Sequence, residues 1–267
     1  MRRRLSGGTA VDALSLLVYA FLLAPLIVVV LASFNSADYL SFPPRGLSLR
    51  WYRALWESEV WGDSFRLSLL LTAVVTPLSL FIGTLTAYAL VRYSFPGKGL
   101  VATLVMGPLV MPQIVLGIAL LNYFSLLGLI DSRVGLMLGH LVVTLPFTVR
   151  LVSISVHNLD PALERAAQNL GATPLQTFWR VTLPLLRPGI VAGAIFAAII
   201  SFGELAVTLL IAGARTTTLP LRTIQLHRVQ LRPHHQRRLG DLRRAGPGDD
   251  HRAGPADRPG PDRLTAT

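Results

Sequence analysis

Apolar residues in this chain come in blocks rather than in alternation with polar ones. The 25 residues between Asp12 and Asp38 contain no Asp, Glu, Lys or Arg, as do the 25 between Arg66 and Arg92 and the 32 between Lys98 and Asp131. A helix needs about 20 apolar residues to cross the hydrocarbon core of a bilayer. A helix lying on a soluble core would break such blocks with a polar face. The pattern predicts an all-α, polytopic transmembrane helical bundle, with helices at about 13–34, 67–91, 100–127, 134–157 and 188–213. Pro25, Pro77, Pro108, Pro112 and Pro146 fall inside these segments. In a membrane bundle, neighbouring helices and hydroxyl side chains re-satisfy the carbonyls that proline frees, so each is expected as a kink. The first segment follows a basic cluster, as a signal peptide would, but its apolar run is too long and no small-residue cleavage pattern follows cleanly. It is expected as a retained first helix.

Basic residues in the short loops set the expected orientation. Arg2, Arg3 and Arg4 hold the N-terminus in the cytoplasm, which makes the protein a multi-pass component of the cell (inner) membrane. Loop 35–66 is then outside, its Arg45, Arg50, Arg53 and Arg66 balanced by Asp38, Glu57, Glu59 and Asp63. "RYSFPGK" is inside, "IDSRVG" outside, and segment 158–187, with Arg165, Arg180 and Arg187, inside. Arg92 and Arg150 are expected as interfacial anchors.

Segment 158–187 is polar, yet lies between two membrane-length runs. In "LDPALERAAQNLGATPLQTFWRVTLPLLRPG", Asp160 is an N-cap and Pro161 a first helical residue. Gly171 suits a left-handed C-terminal stop. Thr173, Pro174 and Gln176 then open a second helix with a Thr-x-x-Gln capping box, which ends near Pro184 and Pro188. On the first helix Leu163, Ala166, Ala167 and Leu170 share a face, with Glu164, Arg165 and Gln168 on others. The paired alanines make a slim ridge that either enters a partner's groove or packs back on the chain's own bundle.

"ERAAQNLGATPLQTFWRVTLP" resembles the EAA loop of binding-protein-dependent ABC importer permeases. That loop reads E-A-A-x-x-x-G, nine residues, then hydrophobic-x-Leu-Pro. Ala166, Ala167, Gly171, Val181, Leu183 and Pro184 fall on it with the family's spacing, while Arg165 stands where the pattern has its Glu and Glu164 lies one place earlier. The resemblance extends over residues 1 to about 222. It implies the type I importer permease fold, with Glu164, Arg165, Ala166, Ala167, Gly171, Leu183 and Pro184 as the coupling site for ABC ATPase subunits. It also implies a second permease subunit and an extracytoplasmic substrate-binding protein as partners. "SFNSA", "LSLRWYRALW", "RYSFPGKGL", "LVMPQIVLGIALL" and "SFGELAVTLLIAGARTTTLPLR" are similar to the second permease subunit of the spermidine/putrescine branch, which implies polyamine transport. Iron, phosphonate, thiosulfate and opine importers share much of this texture.

Composition removes other chemistries. No G-x-x-x-x-G-K-[ST] is present, so ATP belongs to a partner subunit and the chain carries no cofactor of its own. There is no cysteine, no metal-ligand cluster and no catalytic spacing; His140 is expected as a hydrogen-bonded packing residue. An intramembrane enzyme would need paired catalytic residues. An ion-coupled transporter would need ionisable residues at the midplane of two repeated halves, and Glu204 is the one acid well inside an apolar span. Such a carboxylate faces a cavity or a partner. It either lines the substrate path, meeting a cation, or makes a structural hydrogen bond. Where relatives in the branch often carry an additional Asp, this chain has Gly203.

The net charge of +11 suggests nucleic acid at first sight, but residues 222–267 hold ten Arg and five Asp and so supply five of those units. No nucleic-acid partner is expected; the bilayer is the medium. After Arg222 the apolar texture ends, which divides the chain into a permease domain, 1–222, and a basic, compositionally disordered tail, 223–267. "QLHRVQLRPHHQRR" can be encoded so that reading one base later gives "NYIEFSFDPTISAV", which is similar to the segment preceding the last span in this family. The expectation is a frameshift near Thr223, with the final helix lost.

Overall fold

The structure, a computed structural model, describes residues 8–37 and 43–230. The basic cluster Arg2, Arg3, Arg4 lies outside the described residues; of the tail expected as disordered from residue 223, residues 223–230 are helical and those from 231 onward lie outside the described residues. Helices dominate: α1 (Gly8–Ser33), α2 (Arg50–Glu57), α3 (Glu59–Arg92), α4 (Lys98–Val110), α5 (Gln113–Leu126) and α6 (Arg133–Asn158). Then come α7 (Pro161–Asn169), α8 (Pro174–Thr177), a π-helical stretch (Phe178–Thr182), α9 (Leu183–Leu185), α10 (Arg187–Gly203), α11 (Ala206–Ile211) and α12 (Leu219–Gln230). Among the described residues the β-pairing amounts to an isolated bridge between Asn35 and Leu47.

Three helices, Val11–Ser33, Glu59–Arg92 and Arg133–Asn158, are each long and apolar enough to cross a membrane. Two bent pairs qualify if each counts as one span: α4 with α5, meeting at 115°, and Pro174–Leu185 with α10, meeting at 68°. The single segment expected at about 100–127 is thus broken. The break falls at Met111, whose extended backbone (φ −82°, ψ 138°) is what a residue before proline prefers. Pro25, Pro77, Pro108 and Pro146 instead sit inside continuous helices. The segment expected at about 188–213 is also divided, because α10 stops at Gly203 and α11 restarts at Ala206.

Helices α3, α6 and α10 pack together as the centre of the bundle. Their contact is made by small residues, as close helix approach in lipid requires. Thr148 of α6 is fully buried, its hydroxyl 2.9 Å from that of Ser79 on α3. A β-carbon on Gly83 of α3 would come within 2.7 Å of the Thr148 methyl, and one on Gly193 of α10 within 3.4 Å. One apolar cluster joins Leu71, Leu116, Phe124, Leu136, Val143, Val207 and Ile211; another joins Ala87, Val149, Val152, Val156, Leu159 and Leu186. The apolar window of α1 contains no buried residue, as a helix facing lipid or another subunit would.

Between α1 and α3, the amphipathic α2 is pinned by Tyr52, whose hydroxyl lies 2.6 Å from Ser33 Oγ, and by Trp51 Nε1, which donates to Asn35 O at 3.1 Å. Helix α3 begins at Glu59, earlier than the apolar run alone predicts, because its charged first turns carry Asp63 and Arg66 on exposed positions. The α5–α6 turn is tied to the segment after α11 through Asp131. Its carboxylate accepts from Thr216 Oγ1 at 2.7 Å and from the Arg215 amide at 3.2 Å. The Thr216 hydroxyl and then Arg215 hold that carboxyl below its ordinary pKa.

Candidate functional site

The polar segment folds as its local signals dictate. Asp160 caps α7 by accepting from the Ala162 amide at 2.8 Å, with Pro161 in the first turn. Helix α7 ends at Gly171, which takes the left-handed conformation (φ 92°). The Ala172 amide donates back to Ala167 O at 3.1 Å, closing the last turn. Thr173 and Gln176 form a reciprocal capping box: the Gln176 amide donates to Thr173 Oγ1 at 3.3 Å and the Thr173 amide to Gln176 Oε1 at 3.0 Å. Beyond α8 the helix widens into the π-helical stretch before Leu183 and Pro184 open α9, both of them half-buried.

The hairpin faces its surroundings in the opposite sense from an ordinary amphipathic pair. The buried residue of α7 is Glu164, whereas Leu163 and Ala166 are exposed and Leu170 is 90% exposed. Leu175 and Trp179 continue the exposed apolar side, with Arg165 and Arg180 also exposed. Ala167 lies at the margin, half-buried.

Glu164 is held by groups that come from elsewhere in the chain. Its Oε1 accepts from Thr182 Oγ1 at 2.7 Å and from the Tyr88 hydroxyl at 3.2 Å. Its Oε2 lies 3.3 Å from Arg92 Nε, an ion pair in which that nitrogen makes no aligned hydrogen bond. Arg92 Nη2 also donates to Leu159 O at 2.8 Å, just before the α7 cap. Tyr88 packs edge-on against Phe178 with ring centres 5.2 Å apart. Arg92, expected as an interfacial anchor, is thus an internal partner, and Tyr88 and Thr182 carried no signal in the sequence that linked them to Glu164.

A second polar group lies at the break between α10 and α11. Glu204, 5% exposed, has extended backbone, and its Oε1 accepts from the Val207 amide at 2.9 Å. It therefore satisfies an amide that the new helix start leaves free. His140, fully buried on α6, is bonded at both ring nitrogens, Nδ1 to Ser201 Oγ at 3.1 Å and Nε2 to Thr208 Oγ1 at 3.0 Å. It ties α6 to α10 and α11, the packing role its isolation suggests. Glu164 and Glu204 belong to separate clusters, one at the polar hairpin and one within the apolar segments.

The signature of the family described as "Binding-protein-dependent transport system inner membrane component" matches residues 75–231. The putrescine transport system permease protein PotI of Escherichia coli (strain K12) is 32% identical over 225 residues, covering 82% of this chain and 80% of that protein. The spermidine/putrescine transport system permease protein PotC of the same strain is 30% identical over 216 residues, covering 81% of each. Among solved structures, a chain of a bacterial ABC transporter involved in the import of the acidic polysaccharide alginate superposes with a TM-score of 0.63 at 20% identity. That match covers 80% of this chain and 77% of the other.

Proposed function

This chain belongs to the family of binding-protein-dependent transport system inner membrane components, and on that premise we propose that it is the non-catalytic, bilayer-spanning subunit of an ABC importer driven by separate ATPase subunits. The observation that carries the reading is the inverted hairpin: its one buried acid turns inward while Leu163, Ala166, Leu170, Leu175 and Trp179 stay uncovered. Exposed apolar surface of this kind marks a protein-docking face. In this reading Arg165, Ala166, Ala167 and Gly171 meet an ATPase subunit, while Glu164, Leu183 and Pro184 set the hairpin against the bundle. The N-terminus and the hairpin face the cytoplasm, a second permease subunit completes the pathway, and an extracytoplasmic binding protein delivers the substrate. The substrate is a polyamine, as the names of PotI and PotC suggest, and Glu204 supplies negative charge along the path.

The absence of cysteine makes the docking claim directly testable. A single Ala166→Cys in the chain, expressed with its partners and treated with a maleimide–succinimidyl ester reagent that joins its thiol to a nearby lysine amine, is expected to form a crosslink with an ATPase subunit in native membranes. Its failure to do so in an assembled complex would overturn the proposal.

The tail from residue 223 is proposed to be read out of frame. One base later, each residue's third codon base becomes the middle base of the new codon, the base that largely decides polarity. Lys, Glu and Gln end in A or G in every codon, so shifted they give only Lys, Asn, Ser or Arg. Gln225, Gln230 and Gln236 impose such polar residues, but residues 237–267 contain no Lys, Glu or Gln. Over residues 237–257 every shifted codon has an apolar option: Arg and Gly shift to Val or Ala, Ala and Pro to Leu, Asp and His to Ile. That run has the length of a membrane span, about 20 residues.

A further inference from the structure

One carboxylate joins three elements that the coupling reading requires to move together. Tyr88 and Arg92 occupy the last turns of α3, Glu164 the first turn of α7, and Thr182 the end of the π-helical stretch. Both oxygens of Glu164 are engaged, by two hydroxyls and a guanidinium, and the same guanidinium holds the carbonyl of Leu159. The Arg92 and Glu164 side chains are 15% and 12% exposed, so little water competes for them. A charge pair this enclosed is held in one geometry, because breaking it strands a buried charge. The exposed apolar side of the hairpin lies on the far side of α7 and shares no residue with this network.

We infer that Tyr88 and Arg92 are positioning residues that transmit displacement of the hairpin to α3, so that they serve coupling and not docking. The inference rests on the proposed function. Helix α3 is the 34-residue member of the central helix trio. A push on α7 reaches it through this charged contact and the Tyr88 ring, and α3 then carries it along the bundle through Thr148, to which Ser79 and Gly83 are fitted. Rigid elements joined by bonded side chains are the physical means by which distant sites couple. Arg92→Lys keeps the charge; Arg92→Gln removes it and leaves a shorter, neutral amide whose nitrogen falls where Nε stood.

The test compares Arg92→Gln and Arg92→Lys in the complete complex in vesicles, with substrate uptake and ATP hydrolysis measured together. The expected result for Arg92→Gln is an intact complex in which uptake per ATP falls about ten-fold, within the usual range of coupling energies. Arg92→Lys is expected to recover most of the loss. Should uptake and hydrolysis fall in proportion, or should Arg92→Gln abolish the crosslink formed by Ala166→Cys, the pair serves stability or docking and the inference is overturned. Should Arg92→Gln not reach the membrane, Tyr88→Phe deletes one hydroxyl and keeps the ring against Phe178; unchanged uptake per ATP in that variant overturns it equally. An otherwise unaltered chain in which Ala166→Cys yields no crosslink fails the proposed function instead, so the two failures are distinguishable.

Discussion

Glu204 carries an acid to a point where the helix around it has stopped. The break between α10 and α11 leaves amides without helical partners, and the carboxylate supplies an acceptor to one of them. The cap needs only an oxygen, whereas the proposed role in the path needs a charge that a cationic substrate would feel. Glu204→Gln separates them, because the amide oxygen still accepts from Val207 while the charge is gone. If the charge lines the path, radiolabelled polyamine uptake should fall at least ten-fold, the cost of losing about 1.4 kcal/mol of interaction, with ATPase docking at Ala166 retained. Uptake equal to that of the parent would leave the capping bond as the whole role of Glu204. At this scale the sequence shows which acids are unusual and not what they touch. Glu164 reads as one polar residue among several on a short helix, and its partner Tyr88 is 76 positions away. His140 was easier, since an isolated histidine among apolar residues has few choices other than hydroxyls on facing helices.

Elements whose start and stop signals are local were legible from the chain. Asp160, Pro161, Gly171, Thr173 and Gln176 act within a few residues of themselves, and each takes the role its type suggests. The π-helical stretch after them was not legible, because what favours it is tertiary: Thr182 bonds Glu164 and Phe178 stacks on Tyr88. Proline was equally mute. Pro112 sits at a 115° bend, while Pro108, four residues earlier, lies within α4. No local feature distinguishes the two. Gly171 gives the element scale its own measurement. Its φ of 92° suits glycine, and nothing lies within 4 Å of where a β-carbon would stand, so Gly171→Ala adds backbone strain without a clash. The expected cost is about 1 kcal/mol. Amide exchange across α7 and α8 should then quicken about five-fold, with exchange in α3 and α6 unchanged. Equal quickening throughout the bundle would mean that the hairpin does not open on its own.

For the whole molecule, span number and reading frame are linked. Up to five segments of the described chain can cross a bilayer. With a cytoplasmic N-terminus, five crossings leave the chain beyond the last of them outside, where a tail with ten Arg from residue 222 onward runs against the excess of basic residues on the cytoplasmic side. A sixth crossing, encoded one base later over residues 237–257, would return the chain to the cytoplasm and add an apolar helix of about 20 residues. The comparison is between two genes, one as written and one with the frame corrected after Thr223, each ending in a reporter active only in the cytoplasm. The corrected version is expected to light the reporter and to exceed the version as written in membrane abundance and in uptake with its partners; the version as written should leave the reporter dark. A stop codon in the shifted frame before residue 257 would refute the frameshift, and so would uptake by the chain as written equal to that of the corrected version. In either case the arginine-rich tail would belong to the working protein, and the bundle would function without a further span.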